Sequence, residues 1–115
     1  MIHIGEMRVH LINDSTILTD PGGPFGLVPR ALWSPLMPPV DDYFVPMVHH
    51  NLVVQTGGKN ILIDAGHGTK MSAKAQANAR ITFPNGGLLG GLEWLGLKPS
   101  DIDLVIDTHL HADHA

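Results

Sequence analysis

The most informative segment of the sequence is "DIDLVIDTHLHADHA", residues 101–115. Its first half contains the apolar run "DLVID", which predicts a short, buried β-strand. Its second half places three histidines and one aspartate within six positions: His109, His111, Asp113 and His114. The sequence therefore predicts a strand that holds a cluster of polar side chains at its carboxyl end.

Residue types and spacing in this cluster point to metal binding. His109 and His111 are two positions apart, which puts both imidazoles on one side of an extended segment and lets them bind one ion. Asp113 and His114 follow after the chain turns, so we expect them to face a second position nearby. Imidazole and carboxylate ligands suit zinc, with iron, manganese and cobalt as alternatives. Because the sequence contains no cysteine, thiolate ligands are excluded within it.

A solvated, histidine-rich tail is the alternative interpretation of the same residues. The pattern H-x-H-x-D-H arises by chance in roughly three of a thousand sequences of this composition. The strand directly before the cluster also favours a positioned site, since ligands at strand ends project into the crevice where sites of layered α/β proteins lie. Metal binding is therefore the preferred interpretation.

Composition excludes several classes of partner. The chain has 115 residues, of which 43% are hydrophobic and 16% charged, as expected for one globular domain. The formal net charge is −4 and no lysine or arginine run occurs, so neither nucleic acid nor an anionic membrane is an expected partner. Apolar runs are shorter than the ~20 residues of a membrane-spanning helix. The first ten residues lack the pattern of a signal peptide, and a cytoplasmic location is expected.

Upstream of the cluster, two segments predict β-hairpins. Residues 7–20 alternate apolar and polar side chains around the turn signal Asn13-Asp14-Ser15. Residues 51–65 contain two β-branched runs around Gly57-Gly58, a strong hairpin signal. The second of these runs ends in "ILID", which is apolar on both faces and predicts burial on both sides of the sheet.

The remaining segments predict short helices and one long irregular loop. Residues 70–81 are rich in helix formers, and residues 88–97 have apolar positions at helical spacing weakened by glycines. Ser100 is expected to be the N-cap of one helical turn. Residues 20–46 hold seven of the nine prolines and are expected to form no regular element.

Aromatic residues in the proline-rich segment have two interpretations. Phe25, Trp33 and Phe44 could form the apolar wall of a substrate pocket, or they could anchor the loop or contact another subunit.

His49 and His50 are adjacent, so on a strand they would point to opposite faces, and strand-edge histidines are the preferred interpretation. His67 lies in a Gly-His-Gly turn, for which solvent exposure is preferred over a place in the cleft.

The sequence resembles the metallo-β-lactamase superfamily. "THLHADHA" after "DIDLVID" matches its H-x-H-x-D-H signature, and "NILIDAGHG" matches the strand and turn that precede it. "PFGLVPRALWSPLMPP" together with "VHHNLVVQTGGKNILIDAGHG" is similar to the branch of N-acyl homoserine lactone lactonases and organophosphate-hydrolysing relatives. The resemblance implies an α/β (α+β) fold that forms the N-terminal half of an αββα sandwich, with β-hairpins and short helices.

The resemblance also implies roles for individual residues. His109 and His111 would bind the first of two divalent metal ions, and Asp113 and His114 the second. Asp113 would in addition be catalytic, orienting the hydroxide or passing a proton to the leaving group. Asp64 matches a position that supports the ligand loop, with a turn-capping aspartate as the alternative. The implied activity is hydrolysis of a lactone or ester-like bond in a small-molecule substrate by a metal-activated hydroxide.

One departure from the family pattern shapes the functional expectation. The family supplies further ligands after this motif, and four ligands for two metals are fewer than the three per ion typical of catalytic zinc. We expect residues 1–115 to be the N-terminal part of one domain, inactive alone and completed by the missing C-terminal half or by a homodimer. The alternatives are a non-catalytic metal-binding or subunit-interaction fragment and a flavo-diiron-type redox relative.

Overall fold

A mixed sheet of six strands is the centre of the structure, a computed structural model that describes residues 1–115. The strands are β1 (Ile2–Ile4), β2 (Met7–Thr19), β3 (Val45–Thr56), β4 (Lys59–Ile63), β5 (Ile81–Thr82) and β6 (Leu104–Ile106). Their order is β1-β2-β3-β4-β6, and β5 pairs with β2. All neighbours are antiparallel except β4 and β6, which run parallel.

Four short α-helices and two 3₁₀ turns connect the strands. The helices are α1 (Gly22–Phe25), α2 (Arg30–Trp33), α3 (Ala73–Ala79) and α4 (Gly87–Trp94), and the 3₁₀ turns cover Pro84–Gly86 and Pro99–Asp101. Helices α3 and α4 confirm the two helices predicted from the sequence. Neither these nor the other helices have the length and apolar character needed to cross a bilayer.

The predicted hairpin over residues 7–20 is wrong. Strand β2 runs unbroken for 13 residues, and the supposed turn is a β-bulge between Asn13 and Ser15 in its pairing with β3. The Asp14 carboxylate accepts the backbone N–H groups of His67 and Leu88, both at 3.1 Å. Residues that usually form turns therefore bind backbone groups that are distant in the sequence here. Local propensity does not reveal such contacts.

The second predicted hairpin is confirmed. Strands β3 and β4 are joined at Gly57 and Gly58, whose φ angles of 54° and 74° suit the turn that follows the twist of the strands. Burial of β4 on both faces is wrong, because Leu62 is buried while its neighbours Ile61 and Ile63 are only half-buried.

The core lies between the sheet and α4. Ile12, Val53, Leu62 and Leu92 form one buried cluster. A side chain at Gly91 would collide with Ile12, so this glycine, which weakens the helix, lets α4 lie directly on β2. The covered face of β3 therefore carries Val53 and the residues at even spacing from it.

The proline-rich segment contains regular structure, contrary to expectation. Helices α1 and α2 are single turns, and α2 is directly preceded by Pro29, where a helix tolerates proline. The rings of Phe25 and Trp33 stack with centroids 4.6 Å apart, and Trp33 is buried. Aromatic packing thus anchors this segment.

The strand before the histidine cluster exists but is not buried. The three residues of β6 are 45–50% exposed, because β6 is the edge strand and pairs only with β4.

The expected N-cap is also wrong: Ser100 lies inside the 3₁₀ turn, and the Asp101 carboxylate accepts the Lys98 backbone N–H at 2.7 Å.

Candidate metal centre

The ligand loop, residues 108–115, leaves the carboxyl end of β6 one residue after it ends. Two backbone hydrogen bonds tie this region to the segment after β4. Asp64 N–H donates to the Ile106 carbonyl at 2.9 Å, and Ala65 N–H donates to the His114 carbonyl at 2.6 Å. Within the loop, His114 N–H donates to the His111 carbonyl at 2.9 Å. The predicted placement of the cluster at a strand end is therefore confirmed.

All four predicted ligands lie in one connected group. His109 Nε2 is 3.0 Å from His111 Nδ1. The rings of His109 and His114 have centroids 4.0 Å apart, and His114 Nε2 is 3.1 Å from Asp113 Oδ2. His109 and His111 are exposed, whereas Asp113 and His114 are half-buried. The side chains contact one another in series and do not spread apart in solvent.

The donor set fits divalent metal ions in its chemistry. Three imidazoles and a carboxylate are zinc ligands, and two nitrogens of one tetrahedral zinc ion lie about 3.4 Å apart. The 3.0 Å separation between His109 Nε2 and His111 Nδ1 is close to that value. No three of the chain's His, Asp or Glu side chains are arranged to hold a single ion. Metal ligation by His109, His111, Asp113 and His114 therefore stays a prediction.

Asp64 supports the ligand loop. It adopts a left-handed backbone conformation, φ 62°, which aspartate tolerates better than most residues. Its carboxylate accepts Thr108 N–H at 2.7 Å and the Thr108 hydroxyl at 2.9 Å. It also lies 2.9 Å from His114 Nδ1. These bonds confirm the loop-supporting role over the alternative of a turn cap.

The contact between Asp64 and His114 shifts the pKa values of the two groups in opposite directions. The hydrogen bond to Asp64 raises the pKa of His114, with partial burial acting against it and the Asp113 charge reinforcing it. Burial raises the pKa of Asp64, but the hydrogen bonds from Thr108 and His114 outweigh it, so the net pKa lies below the ordinary value. An Nδ1–H donated to Asp64 directs Nε2 of His114 toward Asp113, the orientation that a metal-binding nitrogen needs.

Two further histidines lie behind the predicted ligands, and the sequence interpretation had preferred exposed positions for both. His49 Nε2 is 3.2 Å from Asp113 Oδ2, and the rings of His49 and His67 have centroids 4.6 Å apart. Their side chains are only 13% and 10% exposed. Strand-edge exposure for His49 and a solvated turn for His67 are therefore wrong.

The pattern of β3 contained a usable signal for His49. The strand begins at Val45, six residues before the predicted start, so His49 lies inside a central strand. His49 then shares the covered face with Asn51 and Val53, both buried, while His50 lies on the opposite, exposed face. Burial lowers the pKa of His49, and the nearby His67 lowers it further.

The aromatic residues of the proline-rich segment do not line the neighbouring cavity. This cavity of about 320 Å³ lies beside Asp14 and Ala65, with Phe83 and Leu88 among its lining residues. Phe25 and Trp33 stack on each other, and the Arg80 guanidinium lies 3.9 Å above the Phe44 ring. These contacts support the loop-anchoring interpretation.

The family model of the metallo-beta-lactamase superfamily matches residues 45–115, which contain β3, β4, β6 and the whole ligand loop. The chain belongs to this superfamily. The resemblance inferred from the motifs is thereby confirmed.

Solved structures of superfamily hydrolases share the fold. A "probable metal-dependent hydrolase from Staphylococcus aureus" superposes with a TM-score of 0.87 at 33% identity over 99% of this chain and 41% of its own. The dizinc quorum-quenching lactonase AidC gives a TM-score of 0.74 at 24% identity, covering 98% of this chain and 36% of its own. A quorum-quenching N-acyl homoserine lactone lactonase gives 0.64 at 21% identity, covering 93% and 39%. The expected α/β architecture of an N-terminal half is thus confirmed.

The chain spans about two fifths of the length of the structures it matches. No curated protein matches it significantly.

Proposed function

We propose that this chain provides ligands for two divalent metal ions in a hydrolase that opens lactone or ester-like bonds of small molecules. Zinc is the ion with which the proposal is tested. The observation that supports the proposal is the connected group of His109, His111, Asp113 and His114 at the end of β6 in a superfamily member. The lactonases among the structural neighbours support the substrate class.

When bound, such ions supply a hydroxide nucleophile near neutral pH and polarise the oxygen of the substrate carbonyl. His109 and His111 would hold one ion, and Asp113 and His114 the other. Asp64 keeps His114 oriented through Nδ1 and fixes the start of the loop through Thr108. Asp113 is the proposed group that would orient the nucleophile or pass a proton to the leaving oxygen.

Four protein ligands for two ions leave each ion with two, fewer than the three of typical catalytic zinc sites. We therefore propose that turnover needs ligands beyond residues 1–115, from a C-terminal half of the domain or from a second copy. The chain alone is expected to bind metal weakly and to show little hydrolysis.

Zinc and cobalt uptake tests the proposal. The purified chain is titrated with Co²⁺ and Zn²⁺ in competition with a chelator, beside the H109A/H111A variant and the control H3A, whose histidine lies on β1. We expect uptake by the chain and by H3A, and loss of the ion that His109 and His111 would hold in H109A/H111A, which keeps Asp113 and His114. Equal uptake by all three proteins would refute the proposed ligands.

Turnover is measured on a panel of acyl homoserine lactones, aryl esters and a phosphotriester. Little turnover by the metal-loaded chain is expected. Rapid turnover would show that residues 1–115 suffice and would overturn the requirement for further ligands.

A further inference from the structure

A buried polar cluster lies behind the ligand loop, on the covered face of the sheet. This β2–β3 polar cluster consists of Asp14, Ser15, His49 and His67. Asp14 and Ser15 are 2% and 0% exposed. Buried polar groups are costly unless hydrogen-bonded, so a connected group of four in so small a protein calls for a role.

Ser15 is the centre of the cluster. Its hydroxyl oxygen is 3.0 Å from His49 Nδ1 and 3.1 Å from His67 Nδ1. A hydroxyl has a single hydrogen, so it donates to only one of these nitrogens and accepts from the other. One of the two imidazoles therefore carries its hydrogen on Nδ1, and the other does not.

The contact with Asp113 determines which of the two imidazoles carries its hydrogen on Nδ1. His49 Nε2 is 3.2 Å from Asp113 Oδ2, and an ionised carboxylate can only accept. His49 must then carry its hydrogen on Nε2. A neutral imidazole carries one hydrogen, so Nδ1 of a neutral His49 is then unprotonated. Ser15 donates to that nitrogen and accepts from His67 Nδ1–H, so the hydrogen bonds run in one direction from His67 through Ser15 and His49 to Asp113.

The backbone around His67 is fixed as well. Its N–H donates to the Asp14 carboxylate at 3.1 Å. At Gly66 a Cβ would lie 2.5 Å from the same carboxylate, so only glycine lets the turn come this close. The turn after β4 thus holds His67 against Ser15.

We infer that His49 is a positioning residue for Asp113, and that Ser15 and His67 keep His49 in the tautomer that can donate to it. The bond from His49 holds Oδ2, which also lies 3.1 Å from His114 Nε2, and so fixes the Asp113 carboxylate beside the other proposed ligand of the same ion. This role rests on the proposed function only in that Asp113 is a metal ligand. Hydrogen-bond partners of metal ligands commonly change affinity by about 10–100-fold.

Histidine tautomers give a test that needs no metal. Long-range ¹H–¹⁵N correlation spectra of ¹⁵N-histidine-labelled, metal-free protein at pH 8 are assigned with H49Q and H67Q. We expect the Nε2–H tautomer for His49 and the Nδ1–H tautomer for His67, with His67 losing its preference in S15A. A His49 ring protonated on Nδ1 would overturn the proposal.

Metal affinity separates positioning from a purely structural role. H49F removes the donor and keeps a ring, H49Q keeps an N–H that can reach Asp113, and H50F is the matched control on the opposite face. We expect zinc affinity to fall about 10–100-fold in H49F, to be largely retained in H49Q and to be unchanged in H50F. Equal affinity in folded H49F and H50F would overturn the positioning role, and S15A provides the same comparison if H49F does not fold. The expected tautomers in a wild-type protein that takes up no metal would instead refute the proposed function.

Discussion

The ligand loop and the β2–β3 polar cluster meet at Asp113, yet they are built in opposite ways. The loop gathers four side chains from six consecutive positions after an exposed edge strand, and it is tied to the sheet through Asp64. The cluster gathers two buried side chains, Asp14 and Ser15, and two largely buried histidines, His49 and His67, brought together by the register of β2 on β3 and by the turn after β4. One region is local and accessible, the other non-local and enclosed. We expect the first to govern metal uptake with little effect on stability, and the second to govern stability and geometry together.

Removing the ligands should have the largest effect on metal binding and almost none on folding. In H109A/H111A both substituted side chains are exposed, so the free energy of unfolding is expected to change by less than about 0.5 kcal/mol. Zinc affinity should fall by more than the 10–100-fold expected for a lost hydrogen-bond partner. Urea unfolding followed by circular dichroism, together with chelator competition, measures both. A large loss of stability would contradict the expectation that the ligand loop contributes little to the free energy of unfolding.

Asp64 ties the ligand loop to the sheet, and D64N should weaken both metal binding and stability. Asparagine replaces a carboxylate that accepts bonds from Thr108 and His114, and losing charged hydrogen bonds of this kind costs about 1.5–3 kcal/mol. D107N is the matched control, because Asp107 is exposed and directly precedes the loop. Urea unfolding of the two variants should differ by that amount; similar midpoints would show that Asp64 does not hold the loop.

S15A should destabilise the protein without touching a ligand. It leaves His49 and His67 without a partner at Nδ1 in a buried site, which is expected to cost about 1–3 kcal/mol. S100A, in the 3₁₀ turn before β6, is the control and should change the unfolding free energy by less than about 0.5 kcal/mol. Equal unfolding free energies for both variants would mean that the cluster adds no stability.

The smallest expected effect is on the pH dependence of stability. Because the hydrogen bond to Asp64 raises the pKa of His114, this stabilisation is complete below the unfolded histidine pKa of 6.5 and is lost as pH rises through the raised pKa of the folded state. The lowered pKa of Asp64 adds stabilisation that is present above its unfolded value of 3.8 and lost as pH falls through the folded value. The pair should therefore contribute most between those two values.

The unfolding free energies of wild type and D64N, compared at pH 5.5 and 8.5, measure this contribution. The difference between the two proteins should be larger at pH 5.5. A larger difference at pH 8.5 would contradict the assignment of His114 as the cationic partner of Asp64.

Much of the fold followed from local signals. The β3–β4 hairpin was predictable because Gly57-Gly58 between β-branched runs favours the tight hairpin turns that need positive φ. Helices α3 and α4 were predictable from composition and spacing. The 7–20 hairpin failed because Asp14 and Ser15 have turn propensity but are satisfied by His67, Leu88 and His49 in the folded protein. Burial of β6 failed because apolar character predicts a strand but not its position in the sheet.

The residues of the candidate site likewise divide into those that local sequence patterns predicted and those that they did not. The ligand loop and the supporting role of Asp64 were visible from the motif and the family resemblance. The places of His49 and His67 were not, because the partner of each lies tens of residues away, 34 positions for Ser15 and His49 and 52 for Ser15 and His67.

The family, the hairpin of β3 and β4, and the four side chains gathered after β6 follow from sequence alone, because each depends on residues close together in the chain. Three features emerge only in the folded chain: β2 is one bulged strand, β6 is an edge strand within residues 1–115, and His49 contacts Asp113 with His67 beside it. Those features depend on strand register and on hydrogen bonds between distant residues, whose partners are defined only once the sheet has formed.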